Sequence, residues 1–206
     1  MKEEINKPKF IQVKNFGFLQ TRLPTDLFIK LKEECQNIKE LKKMKSGLGG
    51  RGSPQHFFIE KCFSKLKEYV LYCTNEYEKN FKYMETLNFL NKDAPIFVAP
   101  PWVNVQKRYD FLPMHNHNGI LSYNIWIQIP YDIKKELEGD SKHASQLQFI
   151  YPMVHGTLGF HEFSLSQLDE GSLIMFPSLF VHALHPFYTS TDVRLSVAGN
   201  ILLEAK

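Results

Sequence analysis

Residues 113–130 read PMHNHNGILSYNIWIQIP, and this stretch decides the fold. From Ile120 onward it is rich in β-branched and aromatic residues, the composition of a buried strand. Asn118-Gly119 is a turn dipeptide that ends one extended segment and starts the next. His115 and His117 stand just before that turn. On an extended chain residues i and i+2 share a face, so both imidazoles point the same way. Two neutral imidazoles on one face can chelate a first-row metal. Surface or hydrogen-bonded histidines share the same spacing, so the pair by itself leaves the question open.

The flanking sequence repeats the texture. IFVAPPWVNVQ (96–106), QLQFIYPM (146–153), TLGFHEF (157–163), SLIMF (172–176), LFVHALHPF (179–187) and VRLSVAGNILL (193–203) are short apolar runs separated by turns. Such spacing predicts an antiparallel sandwich or barrel. Residues 1–95 differ: after a short opening strand they predict helices. Leu27, Phe28, Leu31, Cys35, Ile38 and Leu41 recur with a helical period, with Thr25 or Asp26 as cap. Cys62, Leu66, Tyr69, Val70, Cys73, Tyr77 and Phe81 predict a second helix over 57–83. Lys39, Lys42, Lys43 and Lys45 read as solvated surface. KSGLGGRGSPQ (45–55) reads as a loop and a candidate lid, without the Gly-Lys-Ser/Thr ending of a phosphate loop. The expected fold is α+β, mainly β, a single domain over 1–206: helical support in 1–95 packs on the outer face of a β core in 96–206.

Composition narrows the function classes. The 206 residues carry 43% hydrophobic and 14% aromatic residues, enough for a packed core. A net charge of +3 does not indicate nucleic-acid binding. No run approaches the ~18 apolar residues of a membrane helix. The opening MKEEINKPKF lacks an apolar signal region, and Cys35, Cys62 and Cys73 have no metal-type spacing, so free thiols in the cytoplasm are expected.

Further candidate chemistry lies downstream. His182 stands in GSLIMFPSLFVHALHPF (171–187), and Arg194 follows twelve residues later in DVRLSVAGN (192–200). Arg194 shares a strand face with Ser196, whereas Val193, Leu195 and Val197 take the other. A cation in such a strand needs an anion, either an Asp or Glu or a ligand carboxylate.

His-x-His, a distal His and then Arg-x-Ser resembles the 2-oxoglutarate/Fe(II)-dependent dioxygenase superfamily. HNHNGILSYNIWIQIPYD and GSLIMFPSLFVHALHPFYTSTDVRLSVAGNI are similar to a prolyl-hydroxylase-like branch of phages and marine bacteria. The resemblance covers about residues 96–203. It implies a double-stranded β-helix (jelly roll) that binds Fe(II), 2-oxoglutarate as cosubstrate and O2. Oxidative decarboxylation to succinate and CO2 would accompany hydroxylation of a C–H bond on an unknown primary substrate. Carried over residue by residue, His115, His117 and His182 would be the metal ligands and Arg194 with Ser196 the cosubstrate clamp. Asn104, with Gln106 on the same face, would touch the cosubstrate. His117 stands where the superfamily usually has Asp or Glu, and Asp110 is the nearest acid that could replace it or orient a ligand. Tyr123 or Asn124 should face the pocket. Trp102 and Trp126 read as core, and His155 and His161 as at most its edge. His56, His143 and His185 read as non-ligands. The rivals are a metal-binding cupin, which usually has a Glu where Leu121 and Ser122 stand, and a non-catalytic jelly-roll module.

Overall fold

The computed structural model describes residues 15–44, 54–87 and 95–203. The candidate lid falls largely in 45–53, outside the described residues. Eleven strands are described: β1 (Leu19–Arg22), β2 (Gln55–Phe58), β3 (Ile96–Val98), β4 (Trp102–Gln106), β5 (Leu112–His115), β6 (Leu121–Gln128), β7 (Leu147–Pro152), β8 (Leu158–Phe163), β9 (Ser172–Pro177), β10 (Val181–Leu184) and β11 (Arg194–Leu203). Every described strand pairing is antiparallel. One sheet has the order β1-β9-β6-β11-β4-β2, with β3 on the far end of β11; the other runs β5-β10-β7-β8. Two such sheets packed face to face form the double-stranded β-helix.

Helix α1 (Thr25–Gln36) buries Leu27, Leu31 and Cys35, the residues its period marks. Its N-cap position is Pro24 and no side chain caps it, so the expected cap by Thr25 or Asp26 is not made. Ile38 and Leu41 lie beyond the helix, because Asn37 leaves the helical conformation. Helix α2 runs Phe63–Phe81, shorter than the expected 57–83. Its predicted first turn is instead strand β2, which pairs with β4. A buried carboxylate enforces the change: Glu34 accepts from the backbone N–H groups of Glu60, Lys61 and Cys62, each at 2.8 Å. Three donors at the head of α2 are satisfied by one side chain. Short helices α3 (Tyr83–Thr86) and α4 (Ile133–Leu137) complete the set.

The alternation of β4, β6, β9 and β11 sorts two cores. Val103, Val105, Ile125, Leu173, Met175, Leu195 and Val197 face outward onto Leu27, Leu31, Leu66, Val70, Cys73 and Tyr77 of the helices. Trp126, Ile174 and Phe176 face inward and pack with Leu112, Leu147, Phe149, Leu184 and Phe187 between the sheets. The expected outer helical layer is therefore present. All three cysteines are free.

Residues 117–122 are tied to the Pro177–Ser178 corner. Ser178 donates its N–H to the Ile120 carbonyl at 3.0 Å and accepts from His117 N–H at 2.9 Å. Its hydroxyl pairs with that of Ser122 at 2.8 Å, and Ser122 also donates to Asn200 Oδ1 at 2.8 Å. Gly119 makes this approach possible: its φ is +140°, and an added Cβ would lie 2.8 Å from the Ile201 carbonyl oxygen. Gly119→Ala should cost about 1–3 kcal/mol, the usual strain of a forced backbone, and lower the melting temperature by several degrees in a calorimetric scan. An unchanged melt would mean that the turn relaxes without loss.

Candidate metal centre and its cavity

His115 is the last residue of β5, and β10 places His182 opposite it in antiparallel register. His117 lies past the strand end, so its place is set by the Ser178 contact rather than by strand alternation. The three rings converge nonetheless. Centroids of His115 and His182 are 4.3 Å apart, His115 and His117 5.0 Å, His117 and His182 5.1 Å. One nitrogen of each lies within 4.8 Å of the others.

Two of the rings are pre-oriented. His115 Nδ1 is 2.7 Å from the Pro113 carbonyl and His182 Nδ1 2.9 Å from the Phe180 carbonyl. A carbonyl only accepts, so both Nδ1 atoms carry the proton and Nε2 keeps its lone pair. Metal-binding imidazoles are oriented in this way by backbone oxygens. Burial drives His182 down to about 3 and His117 down to about 4, with His115 adding repulsion in both, and burial lowers His115 as well. The cluster is thus neutral at pH 7, the form in which imidazole ligates. The donor set and its tautomers fit a divalent metal such as Fe(II).

The cluster contains no carboxylate among the described residues. Asp110, the acid considered from sequence, instead accepts from Lys107 N–H at 2.8 Å and shapes that turn. His185 stacks on His143 and meets Gln148, while His161 stacks on Phe18 and His155 pairs with Thr157. None of these four histidines lines the cavity at the triad.

A cavity opens at the triad, with about 530 Å³ of empty space when the open solvent at its mouth is included. His115, His117, His182, Asn104, Asn124, Trp102 and Trp126 line it, with Leu112, Leu147, Phe176 and Leu184 as apolar wall. His56 lines it too. Sequence reasoning set His56 aside with the non-ligands; strand β2 carries it to the cavity, and Gln55-His-Phe-Phe58 has no polar–apolar alternation that would have marked that strand.

Gln106, Arg194 and Ser196 face the barrel interior but are not among the lining residues. Arg194 is 1% exposed and has no acid partner among the described residues. All five N–H groups meet neutral acceptors: Gln106 Oε1 from Nε at 3.1 Å and Nη2 at 2.8 Å, Tyr131 Oη at 2.9 Å, and the carbonyls of Ser145 at 2.7 Å and His185 at 2.8 Å. No described residue therefore supplies the Asp or Glu that the sequence allowed as partner. Ser196 Oγ accepts from Asn104 Nδ2 at 3.2 Å.

The family model described as "Putative 2OG-Fe(II) oxygenase" matches residues 101–200, the stretch that carries β4 to most of β11. That match, with the fold and the converging histidines, marks a 2-oxoglutarate/Fe(II)-dependent oxygenase. No curated protein sequence matches it. Among solved structures it is similar to a prolyl-4-hydroxylase of Pseudomonas putida (15% identity, 92% of this chain and 94% of that one, TM-score 0.58). It is also similar to the viral collagen prolyl hydroxylase of Paramecium Bursaria Chlorella virus-1, in complex with 2OG (10% identity, 89% and 94%, TM-score 0.52). A third is HygX from Streptomyces hygroscopicus, with nickel and 2-oxoglutarate bound (10% identity, 90% and 82%, TM-score 0.56). At these identities the structural likeness speaks to the fold. The oxygenase family uses 2-oxoglutarate and O2 as co-substrates and Fe(II) as its metal.

The imidazoles set an acid limit for the metal-free oxygenase. Each ring is held below the ordinary value of 6.5, His117 at about 4 and His182 at about 3, so from pH 6.5 down to those two values the unfolded chain binds more protons. Metal-free protein should lose stability steadily as pH falls through that window, with no contribution from these groups above it. Urea midpoints measured from pH 8 to pH 4 test this; a flat profile below pH 6.5 would mean the rings are hydrated.

Proposed function

We propose that His115, His117 and His182 hold Fe(II) and that the enzyme hydroxylates a C–H bond of a protein side chain or small molecule. The balance is substrate C–H, O2 and 2-oxoglutarate in, and C–OH, succinate and CO2 out. The observation that carries this reading is the convergence of three neutral imidazoles, two of them held Nε2-inward by backbone carbonyls. The bound iron supplies the oxygen chemistry; the protein supplies orientation, charge and exclusion of water. Leu112, Leu147, Phe176 and Leu184 keep the wall dry.

Arg194 is the candidate for the far carboxylate of the cosubstrate. Gln106 Oε1 occupies the Nε/Nη2 fork of its guanidinium, where a carboxylate oxygen would bind bidentately. A buried cation held only by neutral groups gains from exchanging one of them for an anion. Ser196, on the same face of β11, and Asn104 beside it complete a polar strip toward the triad. The N-terminal half acts in the same domain as the β core: β1 and β2 are strands of the larger sheet. The free thiols support a reducing, cytoplasmic setting. Among the described residues no helix is long and apolar enough to cross a membrane.

Fe(II) plus 2-oxoglutarate, mixed with the protein without oxygen, should give the weak visible charge-transfer absorption of the chelate; its absence at saturating concentrations would overturn the reading. Arg194→Ala should weaken 2-oxoglutarate by about 2–5 kcal/mol, the range for a buried charge pair that loses a partner, in an anaerobic titration. His182→Ala should abolish iron binding and His185→Ala should not; the reverse pattern would show that the wrong histidine has been assigned.

A further inference from the structure

Four residues that line the cavity carry a buried polar atom with no partner among the described residues: His56 Nε2, Tyr123 Oη, Asn124 Nδ2 and Trp126 Nε1. Buried polar groups are almost always paired, so such orphans are places where a ligand group can fit. Two of the four end a single row that crosses four strands. His56 on β2 is the register partner of Asn104 on β4, Asn104 of Ser196 on β11, and Ser196 of Trp126 on β6.

Hydrogen bonds give this row a direction. Trp102 Nε1 lies 3.1 Å from Asn104 Oδ1. An indole N–H only donates, so the atom it meets is the carbonyl oxygen and the Asn104 amide cannot be flipped. The same oxygen is 2.7 Å from His56 Nδ1, which must therefore carry a proton. Burial favours the neutral ring. His56 Nε2 is then a bare lone pair, fixed in its tautomer by Asn104, and it can only accept. At the opposite end Trp126 Nε1 can only donate, and that side chain is fully buried.

2-Oxoglutarate at neutral pH is a dianion whose oxygens all accept. It can satisfy Trp126 and Asn124, and it has no proton to offer His56. Dioxygen has none either. We propose that the row sorts the cavity's ligands by hydrogen-bond polarity: Trp126 donates to a carboxylate oxygen of 2-oxoglutarate, while His56 is kept for an N–H or O–H of the primary substrate. This rests on the oxygenase reading above and narrows it to substrates that carry such a donor close to the oxidised C–H. Neither residue belongs to the His-x-His, His and Arg-x-Ser pattern.

The test uses the full chain with 15N-labelled Trp and His, loaded with diamagnetic Zn(II). The chain has two Trp, so the spectrum holds two indole N–H signals, assigned with Trp126→Phe. Adding 2-oxoglutarate should move the Trp126 signal and leave Trp102, already bonded to Asn104, in place. His56, assigned with His56→Gln, should show the Nδ1–H tautomer with a bare Nε2 before and after both additions. In anaerobic Fe(II) titrations, Trp126→Phe should weaken 2-oxoglutarate tenfold or more and His56→Gln less than twofold. The proposal is overturned by an unmoved Trp126 signal at saturating 2-oxoglutarate, or by a protonated His56 Nε2. It is equally overturned by a His56 Nε2 signal that moves on Zn(II) alone, which would make a metal-bound water its partner, or by equal losses in the two variants. Should Trp126→Phe fail to fold, the one remaining indole signal is assigned through Trp102→Phe and the shifts decide. A protein that forms no chelate band at all sinks the oxygenase reading itself; one that forms the band without moving Trp126 sinks only the row.

Discussion

The interior depends on one strand being paired along both edges. β11 bonds to β6 on one side and to β4 and then β3 on the other. A slip of one residue would turn every side chain to the opposite face. Leu195 and Val197 would enter the cavity, and Arg194 and Ser196 would meet the apolar helices. The penalty is large because α1 and α2 present Leu31, Leu66, Val70 and Tyr77 to that outer face, all fully buried. The helical half carries none of the metal-site residues, yet it fixes the register that sets them. Gly199 shows how tightly: Tyr123 lies against it so closely that an added Cβ would collide with the Tyr hydroxyl.

Charge is distributed inside this frame with an asymmetry. Two buried carboxylates are satisfied by backbone amides at turns. Glu34 takes three N–H groups ahead of α2, and Glu136 takes those of Tyr188 and Thr189, at 2.8 and 2.7 Å. Neither is spent on Arg194. The guanidinium is instead held by carbonyls and a phenol, with Phe187 and Tyr131 rings 5.4 and 5.6 Å from its centre. Ser145, at φ +64°, supplies one of those carbonyls. Among the described residues the buried acids serve structure and none meets Arg194, which supports the proposal that this cation takes an anion from outside.

Much of this was legible in the sequence. Period-two runs located the strands of 96–203, and the order His-x-His, His, Arg-x-Ser picked out the three imidazoles that converge and the buried Arg194 of the proposed site. What escaped was set by non-local contacts. The segment 57–62 reads as helix by its apolar spacing, but Glu34 from a different helix terminates it and an open edge of β4 recruits 55–58 as β2. His117 obeys no strand alternation; the Ser122–Ser178–Asn200 tie places it, and those three residues lie far apart in the chain. His56 could not be assigned to the cavity before β2 was known to exist. Asn104 and Gln106 look equivalent on β4, yet one lines the cavity and the other turns to Arg194 and, through Nε2, to the Asp110 carbonyl.

The absence of an acid from the triad follows through to how its ligands bind. If the three neutral imidazoles hold a divalent metal as proposed, both of its charges stay uncancelled, and Arg194 adds another that no described acid balances. A dianion placed between them is attracted from both ends in a medium less screening than water. On that assignment metal and cosubstrate would stabilise each other's binding, and by linkage the effect would be equal in both directions. A carboxylate ligand in place of His117 would have cancelled one metal charge and weakened that coupling. On the proposed assignment, a metal-loaded site with histidine there would stay electrostatically incomplete without cosubstrate, and the dianion proposed for Arg194 would also neutralise the metal.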